Sequence, residues 1–135
     1  MVSQDASDVV ITKISNSPVV GQGDQYTSIA GGVTFYIKGT GFDQYASNNY
    51  VFVGPYQATV LGTLFFLYFL HCNELYCEGV NDVFLIFQSV PMQQEADMPV
   101  SVIVLNSQTQ QKKSSTCTTD CHIYYRWCTF SFLIF

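Results

Sequence analysis

The fold class is decided by residues 31–42, which have the sequence GGVTFYIKGTGF. After the Gly-Gly pair, apolar and polar side chains alternate up to Lys38, and a period of two residues is typical of a strand with one buried face. Glycine adopts the positive φ of tight turns at little cost. We therefore expect Gly39 and Gly41 to flank a corner where the chain leaves its sheet, with Phe42 closing the end of the core.

Similar short apolar runs lie on both sides of this strand. Clusters of Gly, Pro, Asn and Asp, which favour turns, separate them. The predicted strands are residues 9–15, 33–38, 50–53, 56–61, 64–70, 83–87, 100–105 and a last one from residue 122. A short helix at 64–70 remains an alternative, because a continuous apolar run does not distinguish a strand from a buried helix. Seven to eight strands without a sustained helical period predict an all-β, antiparallel β-sandwich.

Length and composition limit the function classes. The chain has 135 residues, of which 48% are apolar and 11% charged, so it is long enough for one domain with a core. The formal net charge is −5 and no basic stripe occurs, which argues against nucleic acid as a partner. The longest apolar run, residues 64–70, is far shorter than the roughly twenty residues of a membrane helix. We therefore expect no transmembrane segment.

The cysteines indicate the compartment. Five cysteines in so short a chain favour an oxidising environment, and we expect an extracellular or cell-surface protein. Two close pairs, Cys72 with Cys77 and Cys117 with Cys121, are predicted disulfides, provided that the backbone brings their α-carbons within about 7 Å. Cys128 is left over. Because residues 1–5 lack the pattern of a secretory signal, we expect a secreted form to be already processed or part of a longer protein.

Composition also divides the chain into segments. We predict an N-terminal tail at residues 1–8, the sandwich at 9–107, a polar linker with the second Cys pair at 108–121, and a long C-terminal strand at 122–135. In that strand the apolar face is first odd-numbered, at Ile123, Tyr125 and Trp127, and becomes even-numbered near Cys128, which predicts a bulge or a change of partner sheet.

Sequence motifs between residues 11 and 54 resemble those of a known family. The segments ITKISNSP (11–18), GGVTFYIKGTGF (31–42) and VFVG (51–54) are similar to the opening strand, the Gly-Gly turn, the Gly-x-Gly-Phe corner and the Val-x-Val-Gly strand of IPT/TIG immunoglobulin-like domains. The residues that carry the resemblance are Gly31, Gly32, Gly39, Gly41, Phe42 and Gly54. The resemblance covers residues 9–60 well, and residues 62–82 and those after 113 depart from it. It implies an immunoglobulin-like sandwich that serves as a scaffold, without catalysis in the domain itself.

Chemical sites are weakly indicated. His71 and His122 each lie beside a cysteine, and no nucleophile motif accompanies them, so we expect no enzyme and no catalytic residue. Zinc held by the paired cysteines with either histidine is an alternative to the disulfides, although the spacings are not those of usual zinc knuckles. Candidate calcium ligands are Asp43 with Asn48 and Asn49, and Glu95 with Asp97. Solvated loop side chains account for both loops, and we expect no metal and no cofactor.

Two features of the sequence concern carbohydrate. The chain has no Asn-x-Ser/Thr sequon, but hydroxyl residues cluster in the linker as candidate O-glycan sites: Ser114, Ser115, Thr116, Thr118 and Thr119. A plain solvated loop is the alternative. Sugars also stack on exposed aromatic rings, for which the candidates are Tyr26, Tyr45 and Tyr56.

The C-terminal segment decides the expected function. Fully extended, residues 122–135 reach roughly 46 Å, well beyond the usual strand length. An apolar strand end without a cover favours pairing with a neighbouring copy, and head-to-tail exchange of this kind builds filaments. The predicted assembly residues are Phe130, Phe132, Leu133, Ile134 and Phe135. We therefore expect a non-catalytic extracellular module of a surface fibre, assembled from copies of itself by strand exchange.

Two alternatives stay open. Residues 123–135 are also compatible with a last strand of the molecule's own sandwich. A different function class is a ligand- or carbohydrate-binding ectodomain of a larger cell-surface receptor, in which loops 21–28 or 43–49 contact the partner.

Overall fold

The structure, a computed structural model, describes residues 9–19, 21–43, 45–65, 83–105 and 109–127. The strands are β1 (Val10–Ser15), β2 (Tyr26–Ser28), β3 (Thr34–Thr40), β4 (Asn49–Val53), β5 (Tyr56–Phe65), β6 (Val83–Gln88), β7 (Ala96–Leu105), β8 (Lys112–Ser114), β9 (Thr116–Cys117) and β10 (His122–Arg126). A 3-10 turn spans Ala46–Asn48. No helix in this part of the chain has the length and hydropathy needed to cross a membrane.

The ten strands form one curled mixed sheet, a half-barrel, in the order β2-β10-β7-β4-β5-β6-β3-β1-β9, with β8 also paired to β7. The all-β class is confirmed. The predicted sandwich of seven to eight antiparallel strands is not, because β1 pairs with β9, and β10 with β2, in parallel. A parallel neighbour cannot be a hairpin partner, so local sequence pattern did not indicate these two pairings.

Residues 112–126 connect the two ends of the sheet. The segment first runs along β7, where Ser114 lies opposite Ile103, and it returns to β7 where His122 lies opposite Pro99. Between these points residues 115–121, which we call the excursion, leave β7 and pair with β1. The disulfide between Cys117 and Cys121 closes the excursion. The structure thus contains the second predicted disulfide, with a Cα–Cα distance of 6.1 Å.

The hydroxyl groups of this segment hold the excursion in place. Thr118 Oγ1 donates to the carbonyl of Ile11 at 3.1 Å, and Thr119 Oγ1 donates to that of Thr12 at 3.0 Å. Ser115 Oγ accepts from the backbone N–H of Val102 at 2.9 Å. The predicted polar linker 108–121 therefore includes β8 and β9, because its Ser and Thr side chains bind backbone groups of strands far away in sequence.

The concave side of the sheet forms the hydrophobic core. Inward-facing residues of seven strands supply it, and the largest fully buried ones are Tyr125, Phe35, Phe87, Ile11, Ile37, Leu85 and Ile123. The rings of Phe35 and Phe87 stack with their centroids 5.8 Å apart. Phe42 packs against this cluster while partly exposed, as expected for a residue at the end of the core.

The alternation in the sequence located most strands but not all bounds. The strand predicted at 100–105 starts earlier, because β7 begins at Ala96, where the polar stretch before residue 100 pairs with the edge of β10. The predicted strand at 64–70 overlaps β5 at residues 64–65, and its remainder lies outside the described residues, as do Cys72, Cys77, His71, Cys128 and residues 1–8.

The two glycines of the corner have different roles. Gly41 has a φ of +87°, the conformation that was expected. Gly39 does not have a positive φ and lies inside β3, where a side chain would collide with the carbonyl oxygen of Val10 on β1. The expectation of positive φ was therefore wrong for Gly39, whose role is to let two backbones approach closely.

We predict that Gly39→Ala destabilises the fold by about 1–3 kcal/mol, because the added methyl group must push β1 away from β3. Gly62→Ala is the matched control, since a Cβ at this strand glycine meets no atom within 4 Å. We expect the control to change the free energy of unfolding by less than about 0.5 kcal/mol in urea titrations. Equal effects of the two substitutions would contradict the proposed contact.

Removing the excursion's disulfide with Cys117→Ala/Cys121→Ala should lower the free energy of unfolding by about 2 kcal/mol, because a five-residue loop is no longer closed in the unfolded chain. Hydrogen exchange should show faster opening of the amide of Thr118, which donates to Ile11. Unchanged stability and exchange would show that the hydrogen bonds to β1 alone hold the excursion.

Candidate functional site

The exposed face of β10 displays three polar or aromatic side chains. Cys121, Ile123 and Tyr125 are 4% exposed or less, so the intervening side chains His122, Tyr124 and Arg126 point outward. The odd-numbered face of the strand was predicted from the sequence, and it is correct for Ile123 and Tyr125. Trp127 was expected on that buried face, but it lies beyond the last strand residue and its side chain is 54% exposed.

Parallel pairing places a second tyrosine beside Tyr124. In the register of β10 with β2, Tyr124 lies opposite Tyr26, whose side chain faces outward because Thr27 is buried. The ring centroids are 5.3 Å apart with an interplanar angle of 38°. Gln25 fixes this register, because its Nε2 donates to the carbonyls of Asp120 and His122 at 2.8 and 2.9 Å.

Arg126 holds the two rings. Its guanidinium lies 5.7 Å from the centroid of each tyrosine ring, within the range of cation–π attraction. The same group donates to Asp97 Oδ1 at 2.9 Å and to the Tyr125 carbonyl at 2.8 Å. The hydrogen bond with Asp97 raises the pKa of Arg126 further above its ordinary value. We call Tyr26, His122, Tyr124 and Arg126 the aromatic strip.

Asp120 orders the other end of the aromatic strip. One carboxylate oxygen contacts His122 Nδ1 at 2.8 Å, and the other accepts a hydrogen bond from the Tyr124 hydroxyl. The His122 and Tyr124 rings stack with centroids 6.2 Å apart. The hydrogen bond from Tyr124, together with His122, lowers the pKa of Asp120, while the negative carboxylate raises the pKa of Tyr124 to about 12.

This arrangement is open to solvent. The side chains of His122 and Asp120 are 43% and 48% exposed, and those of Arg126 and Asp97 are 40% and 56% exposed. A histidine oriented by a carboxylate is part of many catalytic triads, in which the histidine also forms a hydrogen bond with a nucleophile. The geometry suits surface recognition, because the rings and charges are presented to an incoming ligand.

The candidate sugar tyrosines are all exposed, at 52% for Tyr26, 61% for Tyr45 and 53% for Tyr56. The structure brings Tyr26 together with other site residues in the aromatic strip. Tyr45 lies at the start of the 3-10 turn and Tyr56 at the start of β5, so these two are separate from it.

The candidate calcium ligands Asn49 and Glu95 form hydrogen bonds to backbone groups of the protein. The Asn49 side chain accepts from the backbone N–H of Asp43 at 2.8 Å and donates to its carbonyl at 2.8 Å. Glu95 accepts from the backbone N–H of Trp127 at 2.8 Å. Within the described residues, no group of three His, Cys, Asp or Glu side chains is arranged to hold a metal ion.

The remaining predicted site residues are the candidate O-glycan sites and the predicted assembly residues. Of the candidate O-glycan residues, Ser114 ends β8 and the other four lie in the excursion, where the hydroxyls of Ser115, Thr116, Thr118 and Thr119 make hydrogen bonds to the backbone. O-glycosylation of these residues stays a prediction. The assembly residues Phe130, Phe132, Leu133, Ile134 and Phe135 lie outside the described residues.

Sequence reasoning missed the roles of Arg126, Asp97 and Asp120. The signal for Arg126 was present, because it occupies the polar side of a strand whose alternation was recognised. No local pattern indicates the partner, since Asp97 is 29 residues away and meets Arg126 through the β7–β10 pairing.

Comparisons of the chain with protein-family models, with curated proteins and with solved structures find no match. The resemblance to IPT/TIG domains is therefore carried by the quoted motifs.

We predict that Asp120→Asn lowers the pKa of Tyr124 from about 12 toward the ordinary value of about 10, because the neutral amide no longer disfavours the phenolate. Tyrosine-specific NMR titration measures this. Tyr125 is the internal control, since burial raises its pKa to about 12 and the substitution leaves that cause in place. An unchanged Tyr124 titration would contradict the assigned hydrogen bond.

The sign of the pH effect on stability follows from the same shift. The folded-state pKa of Tyr124 lies above its unfolded value, so the stabilisation is complete below about pH 10 and is lost as pH rises toward about 12. Asp120→Asn should make the unfolding midpoint less sensitive to pH in this interval.

Proposed function

We propose that this protein is a non-catalytic, extracellular recognition domain that binds neutral carbohydrate on the aromatic strip. The observation that carries the proposal is the pair of outward tyrosine rings on β2 and β10, held by one arginine and surrounded by carboxylates. Fold class alone does not indicate a ligand, so the proposal depends on these side chains.

The rings suit one face of a sugar. A pyranose presents a set of C–H groups on one face, and these carry partial positive charge that matches the negative face of an aromatic ring. The hydroxyls around the sugar need hydrogen-bonding groups at the edge of the platform, since polar groups that lose water without a partner weaken binding. Asp97, Asp120 and Arg126 occupy that edge.

The charges favour a neutral ligand. The aromatic strip and its two ends carry three carboxylates, Asp97, Asp120 and Glu95, and one guanidinium, which is already paired with Asp97. An acidic sugar would approach a region with excess negative charge on a protein of net charge −5. A neutral hexose or pentose avoids this repulsion and still finds acceptors for its hydroxyls.

The aromatic strip is ordered before any ligand arrives. Tyr124 is fixed by Asp120, Arg126 by Asp97, and the backbone of β2 by a hydrogen bond from the Tyr124 N–H to the Gln25 carbonyl at 2.9 Å. Side chains that are already held lose little conformational freedom on binding, so the contacts contribute more to affinity.

The disulfide and the IPT/TIG-like motifs also support an extracellular recognition domain. The Cys117–Cys121 disulfide favours an oxidising compartment, and the IPT/TIG-like motifs favour an immunoglobulin-like scaffold at a cell surface. A receptor ectodomain fits this proposal. Assembly of a fibre by strand exchange through the C-terminal segment stays a separate prediction.

The test is binding to a panel of neutral polysaccharides (glucan, mannan, galactan, xylan and chitin) and their oligomers. Tyr26→Ala and Tyr124→Ala should each weaken binding to the best panel member by roughly fivefold or more, the equivalent of about 1 kcal/mol. Tyr56→Ala, an equally exposed tyrosine outside the aromatic strip, should leave the affinity unchanged.

Absence of binding to every panel member would contradict the proposal. An equal loss in Tyr56→Ala and Tyr124→Ala would also contradict it, because the effect would then not belong to the aromatic strip. Circular dichroism of each variant checks that the sheet is intact.

A further inference from the structure

A cleft opens where β5 changes its partner. β5 pairs with β4 through Tyr56, Gln57 and Ala58, and from Thr59 onward it is paired with β6. β4 and β5 separate beyond Ala58, and the 3-10 turn at 46–48 lies beside the gap between them. The resulting cleft has a volume of about 550 Å³, which is within the size range of small-ligand sites.

One wall of the cleft is fixed by a buried amide. Asn49 is 2% exposed, and its Nδ2 donates to the carbonyls of Asp43 and Tyr45 at 2.8 and 3.1 Å. Its Oδ1 accepts from the Asp43 N–H at 2.8 Å. These bonds hold the loop that leads into the 3-10 turn, so the shape of the cleft does not depend on a ligand.

The lining presents polar and apolar surface in similar amounts, and none of its side chains carries a formal charge at neutral pH. The lining residues with polar side chains are Ser47, Asn49, Tyr50, Gln57 and Thr59. A charged ligand would lose water here without gaining a counter-charge. A neutral ligand with both C–H surface and hydroxyl groups fits this lining best.

The cleft and the aromatic strip lie on the same face of the sheet. Tyr124 lies opposite Asp97 on β7, and Tyr50 lies opposite Ile103 on the same strand. Side chains alternate along a strand, so Asp97 and Ile103, six residues apart, point to the same side. At about 3.4 Å per residue the two sites are roughly 20 Å apart along β7.

We infer that the protein binds along a neutral polysaccharide chain, with one part of the chain on the aromatic strip and another part in the cleft between β4 and β5. The inference deepens the proposed function, on which it rests, by assigning a second subsite and a polymeric ligand. When both subsites bind one chain, the second contact is intramolecular, and affinity rises with chain length once the chain spans the separation.

The experiment uses the full chain and the soluble oligomer series of the panel polysaccharide that binds best. Long oligomers should bind at least about tenfold more tightly than the disaccharide, beyond the gain from having more binding positions. Gln57→Ala/Thr59→Ala should remove most of this gain and leave disaccharide affinity unchanged. Tyr124→Ala should weaken the binding of short and long oligomers alike, and Tyr56→Ala should change neither.

Three results would overturn the second subsite while leaving the proposed function standing. The first is affinity that does not rise with oligomer length in the native protein. The second is a Gln57→Ala/Thr59→Ala variant that is folded by circular dichroism and keeps the whole gain. The third is loss of disaccharide binding in this variant, because the cleft would then not be a separate subsite.

Discussion

The pairing of β10 on both of its edges is the constraint on which the site depends. One edge is antiparallel to β7 and brings Asp97 to Arg126, and the other is parallel to β2 and brings Tyr26 to Tyr124. The buried side chains of Ile123 and Tyr125 fix which face of β10 is outward. A slip of one residue would bury the charged residues and expose the apolar ones, so the core itself holds the register of the aromatic strip.

The sheet and the site are linked through the excursion at residues 115–121. It ties β1 to the edge of β7 and ends where β10 begins, so a single segment completes the half-barrel and delivers the site strand. Asp120 belongs to both parts, since it is the penultimate residue of the excursion and the acceptor for the Tyr124 hydroxyl. Stability and recognition therefore share the same short stretch of chain.

From the sequence we could predict the all-β class, most strand positions, the outward face of β10 and the Cys117–Cys121 disulfide, because alternation and short cysteine spacing are local signals. We could not predict the parallel partners of β1 and β10 or the strand at Ala96–Pro99, since these depend on strand edges supplied by residues distant in sequence. Of the site, Tyr26 was predicted as one of three candidate tyrosines for stacking against sugar. The roles of Arg126 and Asp97 follow from strand neighbours that no local pattern indicates.

The central claim is that β2 and β10 assemble one ordered aromatic platform before any ligand is bound. The most direct measurement is the set of nuclear Overhauser contacts of the free protein in solution. We expect contacts from the Tyr26 ring to the Tyr124 ring, and from the Arg126 side chain to both rings. Absence of these contacts in a protein whose Ile123 and Tyr125 core contacts are present would contradict it.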